Sequence, residues 1–150
     1  MLERSRGTLD PHWVTGFSDG EASFTYSRSG NQLGLYYAVK LTATERPLLE
    51  ELQVFFGGVG RIYDVAARAA GARSAAAKSA AYFRITHRDE LSRVLDHFDR
   101  YPLRSNKKQV YEIWRLMVLA KQQFRKPDRG MLDALAEQIT ALCVRKQPWR

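Results

Sequence analysis

A helix that runs directly into a strand constrains the fold of this chain more than any other feature. Asp10 followed by Pro11 is typical of a helix start, because Asp caps free amides and Pro has no amide to leave unpaired at the first helical position. The predicted helix, residues 9–22, carries Gly16 and Gly20 four residues apart, so one face is bare backbone. A second helix can approach such a face to backbone contact. The sequence holds no second copy of this segment.

Hydrophobic periodicity divides the rest of the chain. A period of two predicts four strands, and a period near 3.6 predicts helices that follow each strand pair. The order is αββαββα with extra C-terminal helices, so we expect an α+β fold, a four-stranded antiparallel sheet with helices on one face, and a single domain over residues 1–150. The predicted strands are residues 23–29, 35–43, 60–65 and 80–86, and the predicted helices are residues 44–56, a segment between Asp89 and Pro102, residues 106–123 and residues 128–143.

Three local patterns complete the secondary-structure prediction. Gly30-Asn31 has the turn chemistry of a hairpin, and Thr86 with Asp89 resembles a capping pair for the third helix. Residues 66–79 are rich in Ala and basic residues, which indicates a mobile basic loop or, alternatively, a short alanine-rich helix. In the last helix, Met131 belongs to the predicted apolar stripe.

The charge balance points to a polyanionic partner. The 150 residues carry 24 Lys and Arg against 16 Asp and Glu, a net charge of +8, which suits nucleic acid. Between residues 100 and 129 there are nine basic residues and two acidic ones. The single Cys143 excludes an internal disulfide, and no apolar run is long enough for a membrane span or a signal peptide. We expect a soluble intracellular protein, and the preference for Arg over Lys favours a bacterium over an organelle.

One face of the predicted sheet has the side chains of a nucleic-acid reader. Arg and Lys bind phosphates and guanine edges, while hydroxyl and aromatic groups supply hydrogen bonds and stacking. The alternative is a solvated face with charges that protect the sheet edges. The candidate nucleic-acid-binding residues, together with those of the hairpin turn and the basic loop, are Thr25, Ser27, Arg28, Asn31, Gln32, Tyr36, Lys40, Arg61, Tyr63, Arg68, Arg73, Lys78, Tyr82 and Arg84.

Two carboxylates, Asp19 and Glu21, lie at the end of the first helix. Side chains two apart on a helix do not share a face, so they are a poor ion-binding pair within one chain. If two copies of the helix cross at Gly16 and Gly20, the same carboxylate from each chain reaches the two-fold axis, where a divalent cation offsets the repulsion. Such a cation beside phosphate can hydrolyse a phosphodiester. The alternative is a pair of solvent-exposed carboxylates.

Residues 13–24, WVTGFSDGEASF, resemble the LAGLIDADG motif of homing endonucleases. Two later segments also resemble this family. Residues 48–60 contain LLEEL followed by FFGGVG, and residues 101–108 read YPLRSNKK ahead of Trp114. The likeness covers roughly residues 9–123, with one motif in the chain.

The resemblance implies a saddle-shaped sheet in the major groove of double-stranded DNA and a homodimer on near-palindromic sites. It implies Mg²⁺ at Glu21, with Ala22 beside it, Mn²⁺ as a substitute and Ca²⁺ binding without cleavage. The dimer interface would contain Trp13, Gly16, Phe17 and Gly20. A basic residue that assists catalysis corresponds to Lys107 or Lys108, although Asn106 stands where the family often has lysine.

Two departures from the family pattern bear on these expectations. Ala22 replaces the usual glycine, which predicts strain at the helix exit, and Ser18 replaces an apolar residue, which predicts weaker packing between the two copies. Asp19 is expected to support the helix end or a backbone group in preference to the metal. Some relatives have lost cleavage, so the alternative function is a non-cleaving binder of RNA or DNA, a splicing cofactor or a transcription regulator.

Overall fold

The Asp10 carboxylate accepts hydrogen bonds from the amides of His12, at 2.8 Å, and Trp13, at 3.2 Å, which confirms the predicted helix start. The computed structural model describes residues 9–124 and 126–144. Its elements follow the predicted αββαββα order with two more helices. They are α1 (Pro11–Glu21), β1 (Ala22–Ser29), β2 (Gln32–Thr42), a 3₁₀ turn (Ala43–Glu45), α2 (Arg46–Phe55), β3 (Arg61–Val65), β4 (Ala80–Ile85), α3 (Leu91–Arg100), α4 (Lys107–Gln123) and α5 (Arg129–Val144).

The four strands form one antiparallel sheet in the order β1-β2-β4-β3. Gly30, at φ 58°, makes the tight turn between β1 and β2. Gly60, at φ 79°, immediately precedes β3, and a Cβ there would come within 2.6 Å of the Arg84 carbonyl oxygen, so only glycine fits. The strand order places β1 and β3 at the edges of the sheet.

The helices cover one face of the sheet and leave the other open. Phe24, Tyr37 and Phe83, from three neighbouring strands, are almost completely buried on the covered face. Phe24 packs edge-on against Phe98 of α3 and Trp114 of α4. The Trp114 indole also donates a hydrogen bond to the Thr25 carbonyl, at 3.0 Å, and so ties α4 to the edge strand β1. One continuous aromatic core therefore fixes the sheet against the helices.

Ser18 faces the core of its own chain, so the expected weakening of the contact between two copies is wrong. Its side chain is completely buried, and its hydroxyl lies 2.9 Å from the hydroxyl of Tyr37. Burial raises the pKa of Tyr37, opposed by this hydrogen bond. A serine replaces the apolar residue because the facing tyrosine needs a polar partner when buried.

Ala22 is not strained, contrary to the expectation from the sequence. Its backbone angles, φ −84° and ψ 158°, lie in the broad β region that every L-residue can adopt. Its amide donates to the Ser18 carbonyl and so closes the last turn of α1. The helix therefore passes into β1 without requiring glycine.

Three other local expectations need correction. Thr86 does not cap α3: its hydroxyl donates to the Leu35 carbonyl at 3.0 Å, while Glu90 occupies the cap position and makes no side-chain capping bond to the helix. Met131 is 42% exposed, because its neighbour Leu132 takes the inward position on α5. Residues 66–79 contain no helix. They extend the β3–β4 hairpin irregularly, through isolated bridges between Arg68 and Ala77 and between Gly71 and Ser74.

A buried polar cluster joins α1 to α3. The Thr15 hydroxyl donates to the Tyr101 carbonyl at 2.8 Å and lies 3.0 Å from Nε2 of His97. Because the single hydroxyl hydrogen goes to Tyr101, Nε2 of His97 is the donor of the second bond. Burial, with a smaller contribution from His12, lowers the pKa of His97 to about 4.

None of the helices in the described ranges has the length and apolar character needed to cross a membrane.

Candidate nucleic-acid interface and metal site

A cavity of about 320 Å³ lies where α1, β1 and α4 meet. Glu21, the last residue of α1, and Lys107, the first residue of α4, both line it, and Cys143 of α5 lies at the same cavity. The structure therefore brings together two of the three predicted catalytic residues. Lys108 is exposed and does not line the cavity.

Asp19 connects α1 to the segment before α4. Its carboxylate accepts hydrogen bonds from the amides of Arg104, at 2.9 Å, and Ser105, at 3.1 Å, and from the Ser105 hydroxyl, at 2.7 Å. Partial burial works to raise the pKa of Asp19, but these hydrogen bonds and the nearby Lys107 charge together hold it below its ordinary value. Asp19 thus binds backbone groups, as expected from the sequence.

Lys107 is held at both ends. Its amide donates to the Ser105 hydroxyl at 3.1 Å, and its Nζ donates to the Ser18 carbonyl at 3.1 Å. The ammonium group therefore lies at the C-terminal end of α1, where the helix dipole favours a cation. Ser105 was missed by sequence reasoning, because a contact across 86 residues leaves no local signal.

The carboxylate of Glu21 is the kind of ligand that a hard divalent cation prefers, but one chain supplies fewer such ligands than the cation needs. A carboxylate oxygen suits Mg²⁺, which takes about six oxygen ligands. Within residues 9–124 and 126–144 there is no group of three His, Cys, Asp or Glu side chains that could hold a metal ion. One chain thus offers a single carboxylate, with Ala22 beside it at the same cavity.

The open face of the sheet carries no acidic residue within its four strands. Strand alternation and register place the predicted residues Thr25, Ser27, Gln32, Tyr36, Lys40, Arg61, Tyr63, Tyr82 and Arg84 on this face, together with Ser23 and Ala38. The one acidic strand residue, Asp64, has the opposite parity and pairs with Arg46 of α2 at 2.7 Å. The face is therefore cationic, hydroxylated and aromatic.

Arg84 is the most constrained side chain on this face. Its guanidinium carbon lies 4.2 Å from the ring centre of Tyr36 and 5.6 Å from that of Tyr82. Its Nε is buried and has no hydrogen-bond partner within the described part of the chain. Arg61 is directly opposite on β3, and like charges at opposed positions destabilise a sheet. An anionic partner that accepts hydrogen bonds would offset both the unsatisfied Nε of Arg84 and the repulsion between Arg84 and Arg61.

Arg28 was predicted on the open face but lies on the covered one. It shares strand parity with Phe24 and Tyr26, and its Nη1 is 2.7 Å from the Asp133 carboxylate of α5. The prediction was wrong because side chains alternate between the two faces along the whole of β1, which places residue 28 on the same face as residues 24 and 26. The remaining predicted residues lie in turns: Asn31 follows Gly30, whereas Arg68, Arg73 and Lys78 are exposed in residues 66–79.

The outward face of α1 combines aromatic rings with bare backbone. Trp13 is 43% exposed and stacks on Phe17 at 5.0 Å between ring centres. At Gly16 and Gly20, no atom lies within 4 Å of the position a Cβ would occupy. This face leaves room for another helix at close approach.

Comparisons with known proteins agree with this architecture. The sequence model of the LAGLIDADG endonuclease family matches residues 14–118. The chain is 29% identical over 107 residues to "Probable intron-encoded endonuclease 2" of Neurospora crassa, a match covering 66% of this chain and 22% of that protein. It is 27% identical over 121 residues to the "Uncharacterized 50.9 kDa protein in ND4 intron 1" of Podospora anserina, covering 75% and 24%. The chain thus spans less than a quarter of the length of these relatives.

Solved structures share the fold. The LAGLIDADG meganuclease I-AabMI bound to uncleaved DNA superposes with a TM-score of 0.71 at 25% identity, covering 85% of this chain and 44% of that one. The homing endonuclease I-TnaI gives 0.70 at 20% identity, covering 91% of this chain and 97% of that one, which shows the fold alone. With the family match over residues 14–118, the chain belongs to the LAGLIDADG endonuclease family.

Proposed function

We propose that this protein is a site-specific homing DNA endonuclease, which acts as a homodimer and hydrolyses both strands of a long, near-palindromic DNA site with Mg²⁺. The observation that carries the proposal is the shared cavity of Glu21 and Lys107 beside an acid-free sheet face. A surface that only binds nucleic acid does not need a carboxylate and a lysine together at its edge. Their combination suits metal-assisted phosphodiester hydrolysis.

Each residue of the site has a distinct part in this mechanism. Glu21 would hold the divalent ion, and the ligands that one chain lacks would come from phosphate, water and the second copy. When bound, the ion lowers the pKa of a water molecule and stabilises the charge on the leaving oxygen. Lys107 lies at the same cavity, where its ammonium can polarise the attacking water. Asp19 fixes the start of α4 and with it the position of Lys107.

The geometry of α1 supports the proposed homodimer. Gly16 and Gly20 leave the helix backbone open to close approach, and the exposed Trp13 and Phe17 rings flank that surface. Two copies that cross there bring both Glu21 residues close to the two-fold axis. The dimer would then provide one metal-binding carboxylate for each DNA strand, as cleavage of both strands requires.

The test is cleavage of a randomised DNA pool by the wild-type protein and by Glu21→Gln, each with Mg²⁺ and with Ca²⁺. We expect sequence-restricted double-strand cuts only with the wild type and Mg²⁺, because the amide cannot replace a charged ligand. Glu51→Gln, an exposed carboxylate on α2, is the matched control and should cut normally. Tight, selective binding without cuts in either metal would support the non-cleaving splicing cofactor or regulator instead.

A further inference from the structure

A second large cavity, which we call the turn cavity, lies at the far end of β1 from Glu21. It has a volume of about 760 Å³ and is enclosed by the β1–β2 turn, the end of α4 and the beginning of α5. The proposed catalytic site does not use it. Its charged lining residues are Arg28, Lys121, Lys126, Arg129 and Asp133.

The cations of the turn cavity are only partly neutralised. Arg28 pairs with Asp133, the single acidic lining residue, at 2.7 Å. Lys121 donates to the Leu33 carbonyl, and Arg129 donates to the Asn31 carbonyl at 2.7 Å, so both are held by neutral groups. Lys126 makes no hydrogen bond or ion pair with any described residue. Three positive charges therefore converge without a compensating carboxylate.

Like charges that are held close together destabilise the fold, and a further cation, Arg88, lies close to Lys121 of the turn cavity. Burial and the neighbouring Arg88 lower the pKa of Lys121. The Arg88 guanidinium is itself held on the Gln122 carbonyl, at 2.7 Å, one residue from Lys121. A fold that fixes cations together in this way is suited to an anion that enters from solvent. Phosphate fits best, because arginine binds it in a bidentate manner and lysine as a point charge.

The position of the cavity identifies the source of the phosphate. Gln32 lines the cavity and also begins the row that continues along β2 through Tyr36 to Lys40 on the open face. The turn cavity therefore adjoins the acid-free face of the sheet at Gln32, whereas Arg28 lines it from the covered side. Between it and Glu21 lies the whole of β1, which at about 3.3 Å per residue spans roughly 25 Å, or seven base pairs of B-DNA.

We propose that the turn cavity binds backbone phosphates of the DNA just outside the segment that the sheet covers. This inference rests on the proposed DNA-binding function and deepens it. The DNA site then extends beyond the bases that the sheet contacts, and its outer end is held through charge without regard to sequence.

The first test is the salt dependence of DNA binding. Lys126→Gln/Arg129→Gln removes two charges from the cavity, and Arg93→Gln/Arg100→Gln removes two exposed charges from α3 as the matched control. In the proposed homodimer each substitution is present twice, so on the site recovered from the randomised pool we expect the slope of log K against log salt to fall by about four for the cavity variant and to stay unchanged for the control. Lys126→Gln alone, which disturbs no hydrogen bond, should lower it by about two.

The second test is shortening of the DNA from its outer ends. Wild-type protein should lose affinity when the duplex ends within roughly seven base pairs of the cut, whereas the cavity variant should lose much less, because it no longer contacts those phosphates. Equal slopes for the cavity and control variants, or equal losses on shortening for the wild type and the cavity variant, would overturn the proposal.

Two other outcomes would assign the cavity differently. If the cavity variant binds DNA normally but loses binding to structured RNA, the phosphates belong to RNA and the proposal is wrong. If DNA binding is unchanged and inorganic phosphate raises the thermal midpoint of the wild type only, the cavity binds a free anion. A wild-type protein that binds no DNA at all refutes the proposed function, whereas normal cleavage by the wild type with unchanged slopes refutes only this inference.

Discussion

The Ser105 hydroxyl donates a 2.7 Å hydrogen bond to the Asp19 carboxylate and accepts one from the Lys107 amide at 3.1 Å. Asp19 belongs to the family motif at the end of α1, whereas Lys107 begins α4. The two helices are therefore registered through one serine. The carboxylate that precedes Glu21 positions the lysine that shares its cavity.

Asp19→Asn should slow DNA cleavage without weakening DNA binding. The amide keeps one acceptor oxygen but cannot satisfy both the Arg104 and Ser105 groups, so Lys107 shifts. Single-turnover cleavage should fall by about 10- to 100-fold with an unchanged Kd, since misplacement of roughly 1 Å has effects of that size. Asp10→Asn, at the other end of α1, is the control, because Asn caps helices as well as Asp does. A matching loss in Asp10→Asn, or a change in Kd alone, contradicts the positioning role.

Lys107 and Lys108 form a natural pair of variants. Only Lys107 lines the cavity with Glu21, so Lys107→Ala should lower the single-turnover rate by about 10²- to 10⁴-fold, the usual range for a lost proton-transfer or polarising group. Lys108→Ala should cut at a rate close to that of the wild type. Both rates can be measured on the same site with Mg²⁺. A larger loss from Lys108→Ala would assign the role to the other lysine.

Arg84 should contribute selectivity for a DNA base as well as affinity. Its guanidinium lies over the rings of Tyr36 and Tyr82, and contact with these rings favours a fixed position for the two-pronged contact that arginine makes with guanine. Arg84→Lys keeps the charge but loses the planar fork, so it should relax preference at one position by about 1–3 kcal/mol while retaining most affinity. Arg84→Ala should lose both. Binding selection on a randomised pool measures these effects, and Arg93→Ala on α3 is the control. Unchanged preference in both Arg84 variants would remove this residue from base recognition.

His97 should make the fold acid-sensitive. Burial, followed by His12, lowers its folded-state pKa to about 4, whereas in the unfolded chain it titrates near 6.5. As pH falls between these values, the unfolded state takes up a proton that the folded state does not. The free energy of unfolding should then decrease by up to about 3 kcal/mol. Urea titrations from pH 7 to pH 4 measure this, and His97→Gln should flatten the dependence. His87→Gln, at an exposed site, should keep it; if His97→Gln retains the full slope, another group is responsible.

If the proposed homodimer forms through α1, Gly20→Leu should yield monomers without unfolding the chain. No atom lies within 4 Å of the added Cβ in one chain, so the side chain fits in the monomer but blocks close approach of a second α1. Sedimentation of the variant and the wild type measures the change. Gln109→Leu adds the same side chain to an exposed position of α4 and should remain dimeric. A stable dimer of Gly20→Leu would exclude this face as the interface.

Local patterns predicted most of the fold because their causes are local. The N-cap of α1, the turn at Gly30 and the alternation along β1 and β2 depend on neighbours within a few residues. Where a prediction was wrong, a distant group had taken over the side chain. Thr86 was expected to cap α3 but donates to the Leu35 carbonyl, 51 residues away. Arg28 was assigned to the open face but pairs with Asp133, 105 residues away.

Periodicity and a contiguous motif were enough to predict the element order, the family and the presence of Asp19 and Glu21 at one helix end. The packing of the folded chain was needed to find which lysine shares a cavity with Glu21, why Ser18 is polar, and which cations line the turn cavity. Those relationships join residues that are far apart along the chain. They depend on how the helices pack on the sheet, which no single segment encodes.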